Sequence, residues 1–166
     1  MRTPIYQIDA FTSRAFAGNP AAVMPMNRFL SDATMLAIAA ENNLSETAFL
    51  IAEGGDYRLR WFTPQVEVPL CGHATLASGA VVMERLELGR NQVVFHSASG
   101  PLTVARSGAG YVMDLPARPS QEVATPLPEF RAKNTHYIDS FALRSLRSIV
   151  FRMSSCFLVR VTTREI

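Results

Sequence analysis

Residues 65–88 read QVEVPLCGHATLASGAVVMERLEL, and the fold turns on them. From Gly72 onward the pattern is helical. Its first two turns are small or apolar on nearly every side, with Ala74, Leu76, Ala77, Ala80, Val81 and Val82. A helix that is apolar all round has no face for water and belongs inside the protein. Only Glu84, Arg85 and Glu87, at its far end, read as solvated. The segments on either side must therefore supply a sheet that surrounds this helix.

They have strand character. On the N-terminal side lie Pro4–Phe11, the short apolar run AAVMP (21–25), ETAFLIA (46–52) and YRLRWFT (57–63). In the last of these, Tyr57, Leu59 and Trp61 alternate with Arg58, Arg60 and Phe62. That alternation predicts an antiparallel strand with one wet face. On the C-terminal side NQVVFHS, PLTVARS and GYVMDLP follow, with glycine-containing turns between them. AFAGNP (15–20) reads as a turn, and Pro25 as a strand stop. A second helix is predicted in LSDATMLAIAAENN (30–43), with Ser31 or Asp32 as its N-cap and Asn42–Asn43 as its end. Hairpin connections outnumber β-α-β crossovers. The expected class is α+β: a mostly antiparallel, barrel-like sheet wrapped around a buried central helix, with the second helix outside.

Composition narrows the function classes. The chain has 166 residues, 48% hydrophobic and 18% charged, which excludes a disordered protein. A formal net charge of +2 is too small to point to nucleic acid. Two cysteines, Cys71 and Cys156, build neither a disulfide framework nor a four-ligand zinc site. No run has signal-peptide character or spans a membrane, so the expectation is a cytoplasmic protein with no membrane partner. Basic charge is uneven. Arginine accounts for all but one of the basic residues, the exception being Lys133, and residues 130–166 carry a net +5 against −3 for residues 1–129.

Three features could carry chemistry. Glu46 sits where a helix-ending loop enters an apolar strand, where partial desolvation would raise its pKa toward the range useful for proton transfer. A solvated strand-end glutamate is the plainer reading. Cys71–Gly72–His73 opens the buried helix, whose unpaired N–H groups and dipole suit a carboxylate. There Cys71 would have a lowered pKa and could serve as base or nucleophile. The plainer reading is a buried cysteine, a turn glycine and a capping histidine. Asn19, in the turn Gly18–Asn19–Pro20, could hydrogen-bond a substrate, although its turn role suffices. His96 and His136 have no partner at metal-ligand spacing, and no metal is assigned.

Together, DAF (9–11) with AFAGNPAAV (15–23), ENNLSETAFL (41–50) and RWFTPQVEVPLCGHATLASG (60–79) resemble the PhzF-like, or phenazine biosynthesis-like, family, which shares its fold with diaminopimelate epimerase. The match runs to about Pro119. The resemblance implies two pseudo-symmetric lobes, each a sheet around a central helix, with the active site in the cleft between them. It implies proton transfer at carbon on a small carboxylate, without cofactor or metal. Glu46 takes the place of the acid/base residue, and Gly72, His73, Asn19, Ser45 and Cys71 surround the substrate. Cys71 stands where the epimerase relatives have a catalytic cysteine. Those relatives have Asn where this chain has His73, and they need a second cysteine, so a two-cysteine racemase is not expected.

Family members are about twice as long. Residues 1–119 therefore read as one lobe, and residues 120–166 as a divergent tail whose Arg/Ser bias suits a truncated or frame-shifted product. Two classes stay open. One is an isomerase whose second wall comes from a partner chain, as in a homodimer. The other is a non-catalytic single lobe or binding module.

Overall fold

The structure, a computed structural model, describes residues 3–14 and 16–115, and the backbone of residues 155–157 and 160–161. One compact unit comprises residues 1–115 and resumes at residue 153. Residues 116–154, which hold most of the divergent tail, lie outside the described residues.

Among the described residues ten strands form one sheet: β1 (Tyr6–Ala10), β2 (Asn19–Met26), β3 (Glu46–Glu53), β4 (Asp56–Phe62), β5 (Glu67–Val68), β6 (Gln92–Ser97), β7 (Gly100–Ser107), β8 (Gly110–Met113), β9 (Ser155–Phe157) and β10 (Arg160–Val161). Their order is β10-β1-β2-β3-β4-β6-β7-β8-β9, with β5 beside β4. Helix α1 (Asp32–Asn42) links β2 to β3, and α2 (Gly72–Val81) lies between β5 and β6. The two pairs joined across a helix, β2/β3 and β4/β6, are parallel. The remaining pairs are antiparallel, and tight turns join β3 to β4, β6 to β7 and β7 to β8. β9 pairs with β8 and β10 with β1. Phe157 and Arg160 are too close in sequence to span more than about 10 Å, so the two edges of the path curl toward each other.

The expected centre is where the sequence put it. Every residue of α2 from His73 to Val81 is buried, and the inner faces of β1–β4 and β6–β8 close round it. Helix and sheet approach closely at Gly79. A Cβ there would stand 2.5 Å from Val104 Cγ1 and 2.9 Å from Val104 Cβ. Valine is stiff at χ1 and cannot swing aside. Gly79→Ala gains about 1 kcal/mol in helix propensity but overpacks the contact at a cost of about 1–3 kcal/mol. A lower urea midpoint, read from Trp61 fluorescence, is the expected result.

Helix α1 is capped as expected. Ser31 accepts a hydrogen bond from the Thr34 N–H, and Asn43 ends the helix in the left-handed conformation. It covers the outer face of the sheet with a second apolar cluster: Met24, Met26, Met35, Ala39, Phe49 and Phe62. This corrects the expected wet face of β4. Phe62 is buried under α1, and Arg60 lies between the rings of Phe29 and Phe62 while bonded to Glu67 and Asp32. Two further corrections are local. Asn19 and Pro20 belong to β2 rather than to a turn. β2 also runs through Pro25 to Met26, since β1 ends its pairing at Val23 and leaves an edge position that tolerates proline. The far end of α2 continues as a π-helical turn, Val82–Leu86. Its carboxylates are tied down rather than free: Tyr111 donates to Glu84, while Tyr57 and Arg90 donate to Glu87. Among the described residues no helix is long and apolar enough to cross a membrane.

Candidate functional site

Three chain segments begin side by side at one end of the sheet. β2 opens at Asn19, β3 at Glu46, and α2 at Gly72 after its N-cap residue Cys71. The parallel register sets Glu46 beside Ala21. Gly18 lets the preceding loop fit. It has φ +86°, and a Cβ there would meet the Ala10 carbonyl oxygen and the Thr12 side chain.

All six residues singled out in the sequence lie in this region. The Ser45 hydroxyl is within hydrogen-bond reach of Asn19 Oδ1 (3.1 Å) and of the Pro20 carbonyl (3.0 Å), and approaches His73 Nε2 at 3.4 Å. Glu46 Oε2 lies 3.2 Å from His73 Nε2, but the contact is not aligned as a hydrogen bond. On the other side of the imidazole, Nδ1 lies 3.4 Å from Cys71 Sγ. His73 thus stands between a thiol and a carboxylate. Burial holds its pKa below the usual histidine value, while Glu46 and the Pro20 carbonyl pull the other way. Gly72 has room beside it: a Cβ there would make ordinary contacts with Leu115 and Met113.

Cys71 corrects one expectation. A helix start by itself lowers a thiol's pKa. Burial instead pushes the thiol up to about 12, assisted by the nearby Glu46. The N–H groups of Ala74 and His73 face the sulfur and oppose this without overcoming it. Only 7% of the residue is exposed, so the loss of hydration outweighs the dipole. Cys71 is a free, buried thiol. It should react with iodoacetamide at pH 8 at least tens of times more slowly in the native protein than after denaturation. Peptide mapping by mass spectrometry reads this directly.

Two contributors were not singled out from the sequence. The Thr75 hydroxyl donates to the Cys71 carbonyl and fixes the turn that presents the thiol. Phe11 sits at φ +64°, an unfavourable conformation for a bulky residue, and its ring packs against His73 at 6.4 Å between centroids. Phe11 was visible in the motif DAF, but no spacing rule places its ring. Sites tolerate such backbone strain where the surroundings enforce it.

Comparison with known proteins fits this arrangement. The family model for phenazine biosynthesis-like protein matches residues 8–148, which extends past Pro119. A protein of Pseudomonas aeruginosa named an uncharacterized isomerase is 52% identical over 126 residues, covering 76% of this chain and 49% of the relative. A second protein of that organism with the same description is 48% identical over 125 residues, covering 75% of this chain and 48% of the relative. The crystal structure of an Enterococcus faecalis phenazine biosynthesis protein of the PhzF family superposes with a TM-score of 0.72 at 45% identity, covering 80% of this chain and 50% of that one. This chain spans about half the length of the curated relatives it matches. With its α+β sheet curled round a buried helix, and with a family match over most of its length, the chain belongs to the phenazine biosynthesis-like protein family.

Proposed function

We propose that this lobe carries half of an isomerase or epimerase site, which moves a proton at a carbon atom of a small carboxylate without cofactor or metal. The observation that carries the reading is the placing of Glu46 against His73 at the start of the buried helix. A carboxylate at the rim of an apolar core can take a proton from carbon next to an activating group and return it at another position. His73, kept neutral by burial, can orient the substrate or pass on a proton. Ser45 and Asn19 form a polar rim beside the start of β2, and of the first turn of α2 it is the Gly72 N–H that is offered to a substrate carboxylate, since those of His73 and Ala74 face the Cys71 sulfur and that of Thr75 bonds the Cys71 carbonyl. Cys71 lies beneath the imidazole and fixes its other edge.

The second wall is supplied by the other half of a family-length chain, or by a second copy of this one. The reading is tested on a chimera that joins residues 1–115 to the remaining half of the 52%-identical Pseudomonas relative. Incubated in heavy water with a panel of small unsaturated and 2-substituted carboxylates, it should place solvent deuterium on carbon in at least one of them. No exchange from a folded chimera, with exchange by the intact relative, would contradict it.

The helix-start part of the reading has its own test. Since a Cβ at Gly72 would make only ordinary contacts, with Leu115 and Met113, Gly72→Ala should fold with nearly unchanged stability. Its added methyl should still weaken carboxylate binding, seen as a raised KM in the chimera.

A further inference from the structure

β1 ends at Ala10, and the chain turns away at Phe11, which takes φ +64°. Side chains with a Cβ avoid that region, and glycine, asparagine or aspartate usually fill it. Deep burial does not offset the strain, since 44% of Phe11 is exposed. The ring instead packs against His73, tilted by 53° with 6.4 Å between centroids, a spacing at which rings attract. We propose that Phe11 is a positioning residue of this site: its ring holds the His73 imidazole in one orientation and keeps water off it. The proposal rests on the proton-transfer reading above and adds to it the residue that sets the state of the histidine.

Other groups hold the two nitrogens of the imidazole. Cys71 Sγ stands 3.4 Å from Nδ1, while Glu46 Oε2 and Ser45 Oγ stand 3.2 Å and 3.4 Å from Nε2. Phe11 packs on the ring from the β1–β2 loop, and only 8% of His73 is left exposed. That loop is built to keep Phe11 in place. Ala10 pairs with Asn19 in the β1–β2 ladder, and the Thr12 hydroxyl accepts from the Arg14 N–H. Gly18 closes on the Ala10 carbonyl and the Thr12 side chain with no room for a Cβ. Both neighbours of Phe11 are thus anchored, which enforces the strained conformation between them. Burial is the first cause of the lowered pKa of His73, so uncovering the ring should raise it. Glu46 and Cys71, the titratable groups beside the imidazole, stay in place when Phe11 is replaced.

The contact is tested in the 166-residue chain by NMR titration of His73, its signals identified with His96→Gln and His136→Gln. Phe11→Gly relieves the backbone strain and removes the ring. Its urea midpoint should be unchanged or higher, while the His73 pKa moves up. A merely structural ring would do the reverse. Phe11→Tyr keeps the ring and should leave His73 as it was. In the chimera, Phe11→Gly should lower kcat about 10–100-fold, with a smaller change in KM, and Phe11→Tyr should restore it. An unmoved His73 pKa in folded Phe11→Gly, or an equal loss of kcat in Phe11→Tyr, overturns the proposal. Should Phe11→Gly not fold, Phe11→Asn, which also accepts positive φ, is read in the same way. A chimera that exchanges no deuterium before any substitution overturns the reading on which this role rests, whereas an unmoved His73 pKa overturns the role of Phe11 alone.

Discussion

Replacing Glu46 by Gln in the chimera should lower kcat by about 10²–10⁴-fold while leaving the fold intact. The amide keeps the size and most hydrogen-bonding capacity of the carboxylate but cannot accept a proton from carbon. The loss should fall on kcat rather than KM, because the group is needed when the proton moves and not for holding the ground state. Stability should hardly change. Glu46 Oε2 makes no aligned hydrogen bond, and the amide of Gln can keep the contact with Cys71. A KM effect alone would make Glu46 a binding residue.

In a preparation of these 166 residues alone, turnover should be at least about a hundredfold below that of the chimera. The lobe holds Glu46, His73 and the start of α2 on one side only. On the proposed reading, a substrate there needs the wall of the other half to exclude water and to fix its reacting carbon within reach of the carboxylate. Misplacement of the order of 1 Å already costs about that much. Self-association is the one escape, since a second copy could offer the missing wall. Activity should therefore be assayed beside size-exclusion chromatography across concentration. Enzyme-like turnover in a monomeric fraction contradicts the prediction, whereas turnover that rises with dimer supports the partner-chain form of the reading.

The centre of the fold was legible because it depends on local pattern. A helix apolar on every side admits one placement, and the alternation in residues 57–63 and the caps of α1 are short-range signals. Features set by long-range packing were not. Phe62 lies under α1, and nothing in RWF says which outer element will cover it. Glu84 and Glu87 looked solvated because the tyrosines that bind them, Tyr111 and Tyr57, come from distant strands. For Cys71, sequence gave two opposing influences, the helix start and burial, and the depth of burial that decides between them is a property of the assembled core. Glu46, Cys71, Gly72, His73 and Asn19 stand out by position and local chemistry, and Ser45 by motif resemblance. Their convergence follows from the parallel β2/β3 register, which sets the starts of both strands beside the start of α2.

The most direct test of the account is deuterium incorporation at substrate carbon, followed by NMR in heavy water, in the chimera and in its Glu46→Gln variant at matched concentration. Trp61 fluorescence confirms that both are folded. The account predicts incorporation at one carbon position in the chimera and its loss in the variant. Equal incorporation by a folded Glu46→Gln variant would show that the proton is moved by another group, and would contradict the assignment of this site.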